Sequence, residues 1–359
     1  MKGWKFAAAV ALSAVVGAGA AFAEDFKVRI SYNQPATSPA WIEVFQAYGE
    51  EIEALSGGRL KPEYYSAAVL HPIGDAFKAL LGNVTDMTAA YPAYMPSSFH
   101  LMHANDLPFI LPDSDIAATR VVNEMYPDYY MDEYEKVGIY LGFYAVTPSY
   151  DIISTRPINS LADLEGMKIR AAPGPMTEML ERLGGVPISM QITETYTSFQ
   201  QGILDGVLLA SADIYAYRLH EVGKHLYRAG VGRVAIPSGF RKDLYDSMPE
   251  DLQEVVAVAG RHAGMNYAKM YTQLTSDAMV GMAEAGVTIV EPTAEDRAEI
   301  QERLAPMYDA FVEKNASFTD PSAQEVLDRL KELDEKYSAM SDEEILALDE
   351  ESPITASFH

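Results

Sequence analysis

Apolar positions along this chain recur with two periods that take turns. Residues 26–32 alternate apolar and polar side chains, which predicts a half-buried strand. Residues 39–55 carry an amphipathic helical pattern stopped by Gly57-Gly58. Strand patterns follow at 59–65 and 84–90, with a helix at 73–81 between them. A helix over 116–134 contains Pro127, which breaks or kinks it, and a longer apolar strand runs from 137 to 146. A second series then begins, with strands at 150–154, 167–171, 186–190 and 205–209. One helical turn at 161–164, a helix at 175–183 ended by Gly184-Gly185, and a helix at 194–202 separate those strands. The strand–helix rhythm predicts an α/β fold, and its two blocks of similar size predict two similar lobes. No sequence repeat accompanies the rhythm, so a solenoid is not expected.

The last third changes character. Ser247-Met248-Pro249-Glu250 has the spacing of a capping box, and no proline or turn cluster interrupts the chain from there to about Ala285. A helix of that span is about 50 Å long at ~1.5 Å per residue, longer than one small domain is wide. It is expected to cross both lobes. A strand at 286–290 and two further helical stretches follow. No low-complexity linker divides the lobes, so the chain is expected to pass between them several times.

Composition narrows the function. Residues 1–23 read as a secretory leader: Lys2 and Lys5, a short apolar run from 6 to 22, then Ala21-Phe22-Ala23 before Glu24. No lipid-modifiable cysteine follows, and no later stretch is long and apolar enough to span a bilayer, so the mature chain is expected free in a periplasm and not membrane-embedded. The absence of cysteine removes disulfides, thiolate metal sites and cysteine nucleophiles together. A formal net charge of −25 repels phosphate backbones, so no nucleic-acid partner is expected, and any anion must be gathered by a deliberate local cation. There is no nucleophile elbow, phosphate-binding loop or zinc-protease helix. His100 and His103 lack a third ligand nearby, and the acidic runs lack calcium-loop order, so neither a metal nor another cofactor is expected. The tyrosines of 126–134 and Trp41 have the spacing of core residues.

One ordered set of segments resembles a known family. The run from Leu161 through Asp163, Gly166 and Lys168 to Arg170 resembles the signature of solute receptors of tripartite ATP-independent periplasmic (TRAP) transporters. The likeness continues through Leu183-Gly184-Gly185-Val186-Pro187 and from Glu194 to Asp205-Gly206. Upstream, Ser56 to Leu60, Leu80 to Asp86, and Asp106-Leu107-Pro108-Phe109 fall in the same order. The resemblance implies a two-lobe periplasmic binding protein with a central cleft and a long helix spanning both lobes. It implies a receptor, not an enzyme, that closes over one small organic acid and hands it to the membrane permease subunits of a sodium-driven transporter. The expected division is 24–148 plus about 232–285 for one lobe, 149–231 plus about 286–320 for the other, and a C-terminal helical segment at 321–359.

Arg170 is the expected anchor. It ends a strand ahead of a Pro-Gly turn, where α/β sheets bind ligands, and its planar fork matches a carboxylate. In the family this arginine pairs with the substrate carboxylate. Where many members carry a second arginine the chain has Tyr150; an asparagine position is Leu209, a polar or acidic one is Tyr91, and Pro173 stands near the start of the following helix. Asn33 keeps the family's amide. The replacements all trade charge or amide for apolar surface. Such a pocket suits an aromatic or otherwise hydrophobic monocarboxylate, with a four-carbon dicarboxylate or keto acid as the alternative. Rival classes are a receptor for an ATP-driven importer, a sensor subunit, and a periplasmic enzyme acting on a small acid.

Overall fold

The computed structural model describes residues 25–354. The leader read at 1–23 lies outside the described residues. Eleven strands run through the described chain: β1 Phe26–Ser31, β2 Leu60–Tyr65, β3 Met87–Ala89, β4 Ile139–Val146, β5 Tyr150–Ser154, β6 Lys168–Ala171, β7 Val186–Ser189, β8 Gly206–Ala210, β9 His225–Val231, β10 Ala235–Arg241 and β11 Thr288–Val290. They form two sheets, one of five strands in the order β2-β1-β3-β10-β4, the other of six in the order β11-β9-β5-β8-β6-β7. Each sheet centres one lobe. In the first, β1, β2 and β3 are parallel and β10 runs against β3 and β4. In the second, β6, β7 and β8 are parallel and β5 runs against β8 and β9. Parallel strands need crossover helices, which is why the sequence alternates as it does.

Two strand connections join the lobes side by side, at 147–149 and 232–234. The Thr147 N–H donates to the Val234 carbonyl at 2.9 Å, and the Tyr150 N–H to the Gly232 carbonyl at 3.1 Å. Arg233, buried in this hinge, pairs with Asp115 at 2.6 Å and donates to the Thr147 carbonyl at 2.9 Å and to the Asp113 carbonyl. A third connection is the long helix Glu250–Glu284, which packs on β4 of the first lobe and on the short helix Ser211–Ala216 of the second. Its approach to β4 is possible only through glycine. A methyl group on Gly260 would stand 1.9 Å from the Gly142 carbonyl oxygen, and one on Gly264 would stand 2.7 Å from that of Tyr144.

Several elements differ from expectation. The helix read over 39–55 is continuous, but its first part, Ala40–Gln46, is wound as a π-helix. A second π-helical stretch, Tyr126–Tyr130, holds Pro127 between two α-helices, so the helix is bent rather than lost. The strand read over 84–90 is only three residues long, because Thr85 and Asp86 turn inward to bond Ser31 and Arg29. The capping box at Ser247 does not form. The Ser247 hydroxyl donates back to the Leu244 carbonyl at 2.7 Å, closing the helix Lys242–Ser247, and the long helix starts after Pro249 without a side-chain cap. Four α-helices, not two, follow β11, because Pro306 and the capping boxes at Ser322 and Ser341 divide that stretch. Strands β9 and β10 were not expected. Tyr126, Tyr130, Tyr134 and Trp41 are core residues.

Candidate functional site

The lobes meet where the carboxyl ends of the parallel strands point toward one another, the place α/β sheets use for ligands. A cavity of about 110 Å³ lies there. Leaving β1, the chain places Tyr32, Asn33 and Gln34 in its wall; leaving β3, it places Tyr91 and, after a Pro92 turn, Tyr94. The hinge supplies Thr147, Tyr150 and Val234, and the long helix supplies Tyr267 and Tyr271. From the second lobe come Arg170, Pro173, Leu209, Asp213 and Tyr217. All six residues nominated from the sequence (Asn33, Tyr91, Tyr150, Arg170, Pro173 and Leu209) thus line one cavity.

Arg170 is the only cation in that lining and is 4% exposed. Its Nε donates to the Met190 carbonyl at 3.1 Å, which fixes the plane of the guanidinium from just beyond β7. Its Nη1 is buried without a partner, and no carboxylate of the described residues pairs with it. Burial lowers its pKa, against the opposing pull of Tyr150, Tyr94, Tyr217 and Asp213. A buried donor left unpaired costs about 1–3 kcal/mol, so the protein maintains an unsatisfied fork facing its own cavity.

Phenols surround the arginine. Burial pushes the hydroxyls of Tyr91, Tyr150, Tyr217, Tyr267 and Tyr271 upward in pKa, so they remain protonated donors. Tyr32 stacks on Phe45 at 4.1 Å between ring centroids and meets the Tyr267 hydroxyl at 3.1 Å. Gln34 of the first lobe and Tyr217 of the second both line this cavity.

Asp213, in the first turn of the helix Ser211–Ala216, escaped the sequence reading. Burial raises its carboxyl from the usual carboxylate range to about 6, although the Tyr271 hydroxyl and Arg170 both pull it down. Its signal was present, since Ser211-Ala212-Asp213 opens a helix right after a strand at the crevice. His100 and His103 are accounted for elsewhere: His103 pairs with Asp106 at 3.0 Å and His100 packs on Phe318. Among the described residues no group of three or more His, Asp or Glu side chains is arranged to hold a metal.

A larger cavity of about 720 Å³ lies beside Asp113, Asp151, Arg228 and Arg297. Its guanidinium groups are already occupied: Arg228 pairs with Asp151 at 3.0 Å, and Arg297 with Glu291 at 3.2 Å. It offers no free cation of the kind Arg170 offers.

Two lobes around a cleft whose wall holds a buried guanidinium without a counter-charge have the form of a cleft-type solute-binding protein. The chain belongs to the bacterial extracellular solute-binding protein family 7, whose family model matches residues 30–315. Among the relatives, the C4-dicarboxylate-binding periplasmic protein of Rhodobacter capsulatus is 26% identical over 316 residues, covering 84% of this chain and 94% of its own. A TRAP periplasmic solute-binding protein from Desulfovibrio salexigens superposes with a TM-score of 0.78 at 19% identity, covering 88% of this chain and 98% of its own. A marine metagenome TRAP solute-binding protein specific for aromatic acid ligands, solved with metahydroxyphenylacetate, superposes with a TM-score of 0.77 at 20% identity, covering 86% and 99%. The family is periplasmic, and no helix among the described residues is long and apolar enough to cross a membrane.

Proposed function

We propose that this protein is the receptor for a small monocarboxylate with an aromatic or otherwise hydrophobic body, which it delivers to a sodium-driven TRAP permease. The observation that carries the reading is Arg170: buried, aimed into the cleft, and without a carboxylate of its own. A ligand carboxylate supplies the missing acceptors through two parallel hydrogen bonds. Tyr91 and Tyr94 from the first lobe and Tyr150, Leu209 and Pro173 around the arginine offer flat or apolar surface to the rest of the molecule. The cavity of about 110 Å³ fits a compact ligand rather than a long one.

Binding works by closure. Asn33 and Tyr91 come from one lobe and Arg170 from the other, so a ligand touching both favours the closed state and shifts the population toward it. The chain performs no chemistry on its cargo. Residues 1–23 direct export and are removed, leaving a freely diffusing periplasmic receptor.

The R. capsulatus relative binds C4-dicarboxylates, which keeps that class as the second reading. A second ligand carboxylate would need a second cation, and the cavity lining holds only one. Calorimetric titration of the purified protein with benzoate, phenylacetate, succinate and an α-keto acid tests the choice. Micromolar or tighter binding of the aromatic acids, about −8 kcal/mol, is expected. Binding of succinate alone would overturn the reading, and product formation in the same samples would point to an enzyme.

A further inference from the structure

We propose that Asp213 is a specificity-determining residue that accepts a hydrogen bond from a donor on the body of the bound acid, so that the receptor prefers carboxylates bearing a hydroxyl or protonated nitrogen and rejects dianions. The inference rests on the reading of Arg170 as the carboxylate anchor.

Asp213 lines the same cavity as Arg170, yet the two form no ion pair. An ionised carboxylate has about four acceptor sites. Asp213 receives only the Tyr271 hydroxyl, 3.3 Å from each of its oxygens, long for an O–H donor. Asp151, on strand β5, bonds the first residue of the same helix and has fuller company. Asp151 takes the Ser211 hydroxyl at 2.6 Å and the Gly230 N–H at 3.3 Å, and the Arg228 guanidinium stands 3.0 Å away as its counter-charge. Asp213 therefore keeps acceptor capacity facing the cleft, and no structural pairing within the fold uses it. Burial is the first cause of the raised pKa of Asp213, as it is for Asp151.

A cleft with one cation and one anion is matched by a ligand with an acceptor group at one end and a donor at the other. A phenol or an ammonium would donate to Asp213 while the ligand carboxylate fills the Arg170 fork. A second carboxylate would face Asp213 instead and be repelled. The acid is thereby sorted by what it carries besides its headgroup, a task Arg170 alone cannot perform.

Titration calorimetry on wild type, Asp213→Ala and Asp213→Asn tests this, with phenylacetate, 3-hydroxyphenylacetate, 3-(aminomethyl)benzoate and succinate as probes. Wild type is expected to prefer at least one donor-bearing acid over phenylacetate by roughly tenfold. Asp213→Ala abolishes that preference while still binding phenylacetate, and narrows the gap between phenylacetate and succinate. Asp213→Asn separates the two donors: it keeps the hydroxyl preference, because an amide oxygen still accepts, and loses the ammonium preference. Phenylacetate affinity reports that the variants are folded and closing. If phenylacetate binds and its ratio to the donor-bearing acids is the same in wild type and Asp213→Ala, this inference falls and the anchor stands. If wild type binds succinate and none of the aromatic acids, both fall together.

Discussion

Arg170 in the cleft and Arg233 in the hinge are equally hidden, at 4% and 5% exposure, and opposite in their company. Arg233 has Asp115 as counter-charge and two backbone carbonyls as further acceptors. Arg170 has one backbone carbonyl and a buried nitrogen facing nothing. Burial costs both residues a similar loss of hydration. The fold repays that cost at the hinge and leaves it outstanding in the cleft. The guanidinium with a counter-charge serves the architecture, and the one without, set in the cleft wall, is the basis for the proposed acid site.

The comparison is most exposed to failure at the hinge. Replacing Arg233 by Ala strands the Asp115 carboxylate in the interior, where burial already raises its pKa. Removing one partner of a buried pair costs about 3–5 kcal/mol, so urea unfolding of Arg233→Ala should show a large loss of stability. A midpoint equal to wild type would mean that the hinge pair is ornamental. Arg170→Ala should behave differently. It breaks no ion pair, and the Asp213 carboxyl it leaves beside the cavity can hold a proton, so its ligand-free unfolding midpoint should fall far less than that of Arg233→Ala. Its affinity for the preferred acid should fall by about a hundredfold or more, or ~3 kcal/mol, in a calorimetric titration. Unchanged affinity removes Arg170 from the anchor role.

How far this contrast could be seen in advance depends on which interactions are local. The long helix was legible because no proline interrupts 250–284 and Gly286 follows its end. β4 was legible because it is buried on both faces and so reads as a continuous apolar run. Arg170 was legible from its place at a strand end and from the family resemblance around it. The neighbouring strands were not. β10 carries Pro237 and Gly239 in the middle of a sheet, beside a bulge at Ser238, and proline in a strand argues against one. β9 is interrupted by Arg228 and Gly230. Both exist because distant partners supply their hydrogen bonds. Asp213 carried only a weak local signal for a related reason. An acid in the first turn of a helix is ordinarily there for the helix, and only the tertiary fold sets this one in the same cavity lining as a lone cation. The arginine of the hinge has no local signal either, since its partner Asp115 comes from a segment more than a hundred residues earlier.

A milder substitution sharpens the reading of the cleft. Arg170→Lys keeps the charge and discards the planar fork and the Nε–H bond to the Met190 carbonyl. About a tenfold loss of affinity is expected by the same titration, well short of the alanine variant. Equal losses for Lys and Ala would show that geometry, not charge, does all the binding, and no loss for Lys would show the reverse.

The smallest effect concerns the anion that faces Arg170. The Asp213 carboxyl titrates near 6 in the folded protein, above its ordinary value of 3.8. A group whose pKa rises on folding binds its proton more tightly in the native state. Its stabilising contribution is therefore complete below about 3.8 and is lost as pH rises through about 6. Arg170 and the Tyr271 hydroxyl hold the value down and burial holds it up, so the position is a balance. The phenols nearby do not titrate in this window, since burial pushes them upward. Asp213→Asn lacks the transition. Its stability relative to wild type should therefore climb by about 1 kcal/mol between pH 5 and pH 7.5, read from paired urea titrations. The same variant combined with Arg170→Ala isolates the pair: without the cation the wild-type carboxyl titrates higher still, so the climb grows and shifts to higher pH. A difference between the variants that is flat with pH would mean that the two charges, although they share a wall, do not feel one another through the cavity.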